Sequence, residues 1–176
     1  MTERMKAIAM ELRRHVSRAL HQDHVATLAL LDRLVALLGR HGRSRSPQHA
    51  NADNAQLLKE LIRAIDSEIG PHFAFEEDSV FPLLAEAGDR EMSALLIDEH
   101  QAILPLARRL AAIAKSARDA GFAAEAWGEF HDAGGEFIER LASHIQKEEM
   151  ALLPALDDLL DEEADGRLAI EFAARR

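Results

Sequence analysis

The chain has 176 residues, 48% of them hydrophobic, with a formal net charge of −10 at pH 7 and no cysteine. That length and apolar fraction predict one domain with a core large enough to fold unaided. Disulfides, thiolate metal sites, iron–sulfur ligation and thiol nucleophiles are excluded, and the acidic balance argues against nucleic acid, whose phosphates need clustered Lys and Arg.

Aromatic residues make up only 5%, with no Tyr, while Ala and Leu abound, which favours helix over sheet. Helical spacing of apolar residues runs over about 3–40, including Leu28, Leu31, Leu34, Val35 and Leu38. A break is expected near Ser17, which would cap the second piece. A polar connection, Gly42-Arg-Ser-Arg-Ser-Pro47-Gln-His-Ala-Asn, follows. The second helix is expected from Asp53 or Asn54 to about residue 86, with Leu57, Leu58, Leu61, Ile62 and Ile65 facing inward. The third is expected over about 89–119, the fourth over about 123–160, and a short terminal helix over about 163–176. Long helices with short connections predict an all-α, up-down-up-down four-helix bundle. The expected organisation is one domain over 1–176, with the bundle at about 17–160 and an outer C-terminal helix at about 161–176. Pro71 is expected to kink its helix, while Pro82 and Pro154 mark last turns. No apolar run is long enough to span a bilayer, and the mixed charges at the N-terminus do not read as a signal peptide. The expectation is a cytoplasmic protein without a membrane partner.

The chain writes one phrase twice: His72-Phe-Ala-Phe-Glu76-Glu77, with Pro82 following, and His144-Ile-Gln-Lys-Glu148-Glu149, with Pro154 following. His and Glu four residues apart share one helix face. The other helices echo each other too, as Asp23-His24 and Glu99-His100. One inward His per helix, plus Glu76 and Glu148, makes a donor set of four imidazoles and two carboxylates. That set suits two metal ions, each taking two His, with the carboxylates bridging and screening the repulsion between the ions. Such ligands fit iron, manganese or zinc rather than calcium or copper(I). Six protein ligands on two metals leave coordination positions open.

At these residues the chain resembles the hemerythrin-like, or HHE cation-binding, family. The pattern is Asp-His, then His-x3-Glu-Glu-x4-Pro, then Glu-His, then His-x3-Glu-Glu-x4-Pro, and it covers roughly 24–160. Ferritin-like di-iron proteins carry the different spacing Glu-x-x-His. The resemblance implies two iron ions in a non-heme centre with an oxide or hydroxide bridge. By that analogy His24 and His72 serve one iron, His100 and His144 the other, and Glu76 and Glu148 bridge. Oxygen-carrying members have a second His four residues after the third-helix His, where this chain has Leu104. They have Asp five residues after the fourth-helix His, where this chain has Glu148 at four and Glu149 at five. These departures argue against pure oxygen transport and for an iron opened to solvent or substrate.

Around this set, His21 is read as a half-exposed residue, an additional ligand or hydrogen-bond relay being the other reading. His15, His41, His49 and His131 are expected at the surface. Glu77, Glu149, Asp23, Asp98 and Glu99 either orient the ligand imidazoles or are solvated. Phe73, Phe75, Phe81 and Trp127 are assigned to packing, the other reading being that Phe residues beside the motif line a dry pocket that limits water access. The stretch Asp157-Asp158 with Asp161-Glu162-Glu163 is expected to be a solvated face with helix capping. The favoured function is a small-molecule binder or sensor, with oxygen or nitric oxide as ligand and output through a protein contact. A homodimer is left open. A di-iron enzyme acting on peroxide or nitric oxide, and iron handling or storage, are the alternatives.

Overall fold

The structure, a computed structural model, describes residues 12–47 and 51–175, and among these every regular element is helical. The expected helix start near residue 3, the N-terminal segment and His49 lie outside the described residues. Helix α1 (His15–His41) is not capped by Ser17, which is buried inside its first turn. The cap comes instead from the far end of the chain. Asp157 accepts hydrogen bonds from the backbone N–H groups of Arg13 (2.9 Å) and Arg14 (2.7 Å), and Asp165 from those of His15 and Val16 (2.9 Å each). Burial opposes the charge on both carboxylates. The backbone donors at the positive helix end outweigh it, so both are held below the usual range. The acidic tail is therefore not one solvated face: Asp157 and Asp165 are buried, Asp158 stays exposed, and Asp161 caps the last helix.

Helix α2 (52–86) consists of three α segments, Ala52–Ala64, Gly70–Phe75 and Phe81–Glu86, joined by π turns at Ile65–Ile69 and Glu76–Val80. Asn51 caps its start through the Asn54 N–H. Helix α3 (Arg90–Ala120) is capped by Asp89 and ends at Gly121, whose φ of 79° suits the residue without Cβ. Helix α4 (124–159) comprises Ala124–Lys147, a π turn at Glu148–Leu152, and Leu153–Leu159, and α5 is Glu162–Ala174.

Each π turn ends two residues before a proline: Ile69 before Pro71, Val80 before Pro82, Leu152 before Pro154. Proline cannot donate to the carbonyl four residues back, which in each case lies within the turn. The ladder widens there by one residue, with the N–H of Phe81 reaching the Glu76 carbonyl and that of Leu153 the Glu148 carbonyl. Pro82 and Pro154 thus do more than mark last turns, because each follows a widening that begins at a motif Glu. Pro105 sits inside α3 with no π turn around it.

Helix α1 packs on α2, α4 and α5, and α3 packs on α2 and α4. Two apolar clusters fill the interior. One holds Leu31, Ile69, Phe73, Ile103, Leu141 and Ile145; the other holds Leu20, Phe75, Val80, Leu96, Leu152 and Phe172. Between Leu20 and Leu31 on α1 stands His24, and between Leu96 and Ile103 on α3 stands His100. The motif residues of α2 and α4 divide their helices in the same way. The bundle is therefore two dry cores with a polar layer between them. No helix among the described residues is long and apolar enough to cross a membrane.

Candidate metal centre

The polar layer gathers all six candidate ligands, the four of the repeated phrase and the two histidines of α1 and α3. His24, His72, Glu76 and Glu148 form one quartet, and Glu76, His100, His144 and Glu148 a second; within each quartet the donor atoms lie within 4.8 Å of one another. All six residues are buried. Each carboxylate divides its oxygens between the quartets. Glu76 places Oε1 3.2 Å from His72 Nε2 and Oε2 3.5 Å from His100 Nε2. Glu148 places Oε1 3.0 Å from His144 Nε2 and Oε2 3.2 Å from His24 Nε2. None of these four oxygens makes a hydrogen bond, nor does His24 Nε2, although all are shielded from solvent.

The outward nitrogens of the imidazoles are each held by another acid. Nδ1 of His24 meets Glu149 at 2.7 Å, that of His72 meets Asp23 at 3.5 Å, that of His100 meets Glu77 at 2.8 Å, and that of His144 meets Glu99 at 3.0 Å. The pattern follows the repeat: the acid preceding an α1 or α3 His serves α2 or α4, and the acid following a bridging-position Glu serves α1 or α3. A carboxylate accepts, so Nδ1 must carry the hydrogen and the neutral ring turns a bare Nε2 inward. The Nε2 atoms of His100 and His144 stand only 3.0 Å apart. Lone pairs and carboxylate oxygens at this density need cations among them, either protons or metal.

The titration shifts follow from the same crowding of charge and burial. Burial opposes charge on His24 and His72, yet the neighbouring carboxylates raise them to about 9 and about 10. Burial, with the charge of His144, pushes His100 down to about 3. Burial and the charge of Glu148 raise Glu76, whereas Glu148 itself is held low, against its burial, by His144 and His24. The donor set of nitrogen and carboxylate oxygen fits divalent first-row metals. Residues 24, 72, 76, 100, 144 and 148 can hold two such ions, with the oxygens of Glu76 and Glu148 spanning both.

The surroundings are not symmetric. Glu149 is buried and also hydrogen-bonds His21 Nδ1 at 2.9 Å, so His21, expected to be half-exposed, lies inside. The corresponding position on α3 is Ile97. Phe73 stacks on His100 with ring centroids 3.6 Å apart and planes 7° from parallel, and Phe81 lies at 5.4 Å. These rings do more than fill the core, since they close the His100/His144 half. The other half opens to a cavity of about 320 Å³ that reaches His24, His72 and Glu148. Its walls include Ile69, Leu141 and Ile145, and Phe172 and Arg175 at the C-terminal end of the described chain complete it. The cavity places the access at His24 and His72. Of the remaining histidines, His15 is exposed beside Asp165, and His41 and His131 pack edge-on to Trp127. Asp98 is exposed. The second role of Glu149 and the covering by α5 were missed; the only sequence signal for the first was His21 one turn before His24.

Comparison with protein-family models matches residues 15–156 to the hemerythrin HHE cation binding domain. Comparison with curated proteins gives no match. The family match and the paired His/Glu clusters together mark a metal-binding protein.

Proposed function

The chain belongs to the hemerythrin HHE cation-binding family, and on that premise we propose that it is a non-heme di-iron protein that binds or senses a small molecule such as oxygen, nitric oxide or a reactive oxygen species. On this reading His24 and His72 would hold one iron and His100 and His144 the other, with Glu76 and Glu148 shared between them. One observation carries the reading: each buried carboxylate points one oxygen at each His pair, with no hydrogen bond to satisfy it. A buried carboxylate whose oxygens make no hydrogen bond is costly, and a shared pair of dications would offset that cost.

When bound, the irons supply open coordination positions and electrons to an incoming ligand. The protein's own residues do the rest. Asp23, Glu77, Glu99 and Glu149 hold the Nδ1 hydrogens, which orients each ring and raises its donor strength. Phe73 keeps water from His100. The cavity beside His24 and His72 leaves that half as the entrance for small molecules. The mixed imidazole–carboxylate set fits iron, manganese or zinc alike, and the resemblance to the hemerythrin family is what favours iron among them. The succession of cores along the helices supports the up-down-up-down reading, because α1 and α3 run from the Leu20 cluster to the Leu31 cluster and α2 and α4 run back. A single domain is the simplest organisation for helices that share one polar layer. An enzyme acting on peroxide or nitric oxide would use the same entrance.

The test is spectroscopic. Iron-loaded protein is reduced without air, then exposed in turn to oxygen, nitric oxide and peroxide. Charge-transfer bands that appear on ligand addition and are lost in His72→Ala support the reading. A spectrum indifferent to all three ligands overturns it.

A further inference from the structure

The cavity at the His24/His72 half is far larger than a diatomic ligand requires. A water molecule's share of liquid volume is about 30 Å³, so the 320 Å³ available holds roughly ten water-sized groups. Its wall is mainly apolar: Ile69, Phe73, Leu141, Ile145 and Phe172 face it. Polar character is concentrated at two places. One is the floor, with His24, His72 and Glu148; the other is the rim, where charges are paired off. Arg63 is bound to Glu68 at 2.8 Å, and Arg175 to Asp78 at 2.8 Å and Glu171 at 2.7 Å. Among the described residues both rim guanidiniums, Arg63 and Arg175, are already ion-paired, which disfavours a highly charged ligand. An apolar wall above a metal-binding floor selects a molecule with an apolar body and one polar end.

Part of that wall lies outside the matched segment of residues 15–156. Phe172 of α5 is buried, stands edge-on to His72 with centroids 5.7 Å apart, and leans on Phe75 at 4.8 Å. Arg175 follows the end of α5, held by its two ion pairs and lying over the Phe75 ring at 5.7 Å. Ser79 adds a hydrogen bond to Glu171 at 2.6 Å, fixing α5 against α2. On α1, Thr27 lines the cavity one turn beyond His24.

We infer that this half-site takes an organic ligand of medium chain length with a single oxygen-bearing head, and that Phe172 and Thr27 set the length it accepts. Fatty carboxylates and alkyl hydroperoxides share that chemistry, an oxygen donor on an apolar chain. The head binds at the His24/His72 metal and the chain lies along Ile69, Ile145 and Phe172. The inference rests on the reading of that half-site as metal-bearing.

Zinc-loaded protein tests binding without turnover. Calorimetric titration with acetate, butanoate, hexanoate and octanoate should show affinity rising roughly three- to fourfold per methylene until the cavity is full. Alkyl hydroperoxides of matched length distinguish the two sources by which head binds more tightly. Thr27→Phe narrows the cavity from a half-buried position, and should compress the octanoate-to-acetate affinity ratio at least tenfold. Phe172→Ala should move the preferred length upward. Affinity that is flat with chain length, or a length profile unchanged by Thr27→Phe, overturns the inference while leaving the metal reading intact. Protein that binds neither zinc nor iron fails the metal reading, and the inference falls with it.

Discussion

Glu149→Gln tests how the chain holds its imidazoles. Glu149 is buried and serves two rings at once, with Oε1 2.7 Å from His24 Nδ1 and Oε2 2.9 Å from His21 Nδ1. Glutamine keeps the shape but presents an amide N–H₂ where one oxygen stood, opposite a ring N–H. One of the two imidazoles is left unpaired in a dry site, a loss of about 1–3 kcal/mol. If His24 loses its partner, its ring is freer to turn and less basic. The expected consequence is a 10–100-fold weaker metal site, about 1.4–2.8 kcal/mol. Glu77→Gln is the matched control on His100. The Glu77 side chain is 37% exposed against 2% for Glu149, so water replaces it more readily and the loss should stay below about tenfold. Competition titration against a chromogenic zinc chelator resolves the two binding events. In Glu149→Gln one event should weaken by the larger factor while the other changes little. Equal weakening of both events, or of neither, would refute the orienting role.

Three other outcomes are expected. His72→Ala and His144→Ala should each lose most bound metal while helix content measured by circular dichroism stays nearly intact; full retention of metal in both would reject the ligand set. Asp157→Asn should cost about 1–2 kcal/mol at neutral pH, because four-way acceptance at the α1 start shrinks to an uncharged amide. Asp157 titrates below its ordinary 3.8 in the folded protein, so its contribution is present above that pH and lost as pH falls through the folded value. Chemical denaturation should show a wild-type-to-variant gap that closes in acid, and a gap as large at pH 3 as at pH 7 would contradict the cap, by roughly its full ~1–2 kcal/mol. Leu104→His, one turn beyond His100, should slow oxidation of the reduced iron protein if a fifth imidazole completes that half; an unchanged decay rate counts against the comparison.

The ligand phrase was legible because it is local and repeated. A four-residue spacing fixes the face shared by His72 and Glu76, and the second copy at His144 and Glu148 makes coincidence a poor explanation. The starts expected at 53 or 54, 89 and 163 fall within two residues of the observed ones, where Asn51, Asp89 and Asp161 supply local caps. The start of α1 was not legible, because its cap reaches across about 145 residues from Asp157 and Asp165, a distance no local pattern encodes. The π turns also escaped, although each precedes a visible proline. A proline reads equally as a kink, a stop or a widened turn until the neighbouring helices select one. Burial of His21 and closure of the cavity by Phe172 are tertiary facts of the same kind. They depend on which face of α5 lies against α1 and α2.

The most direct measurement is metal stoichiometry on tag-free protein by mass spectrometry, alongside Glu76→Gln and Glu148→Gln. Shared bridging predicts about two irons per chain in the parent, and loss of metal from both half-sites when either carboxylate is changed. A single ion per chain, or a variant that loses one ion while holding the other at full strength, would contradict a centre in which both carboxylates serve both metals.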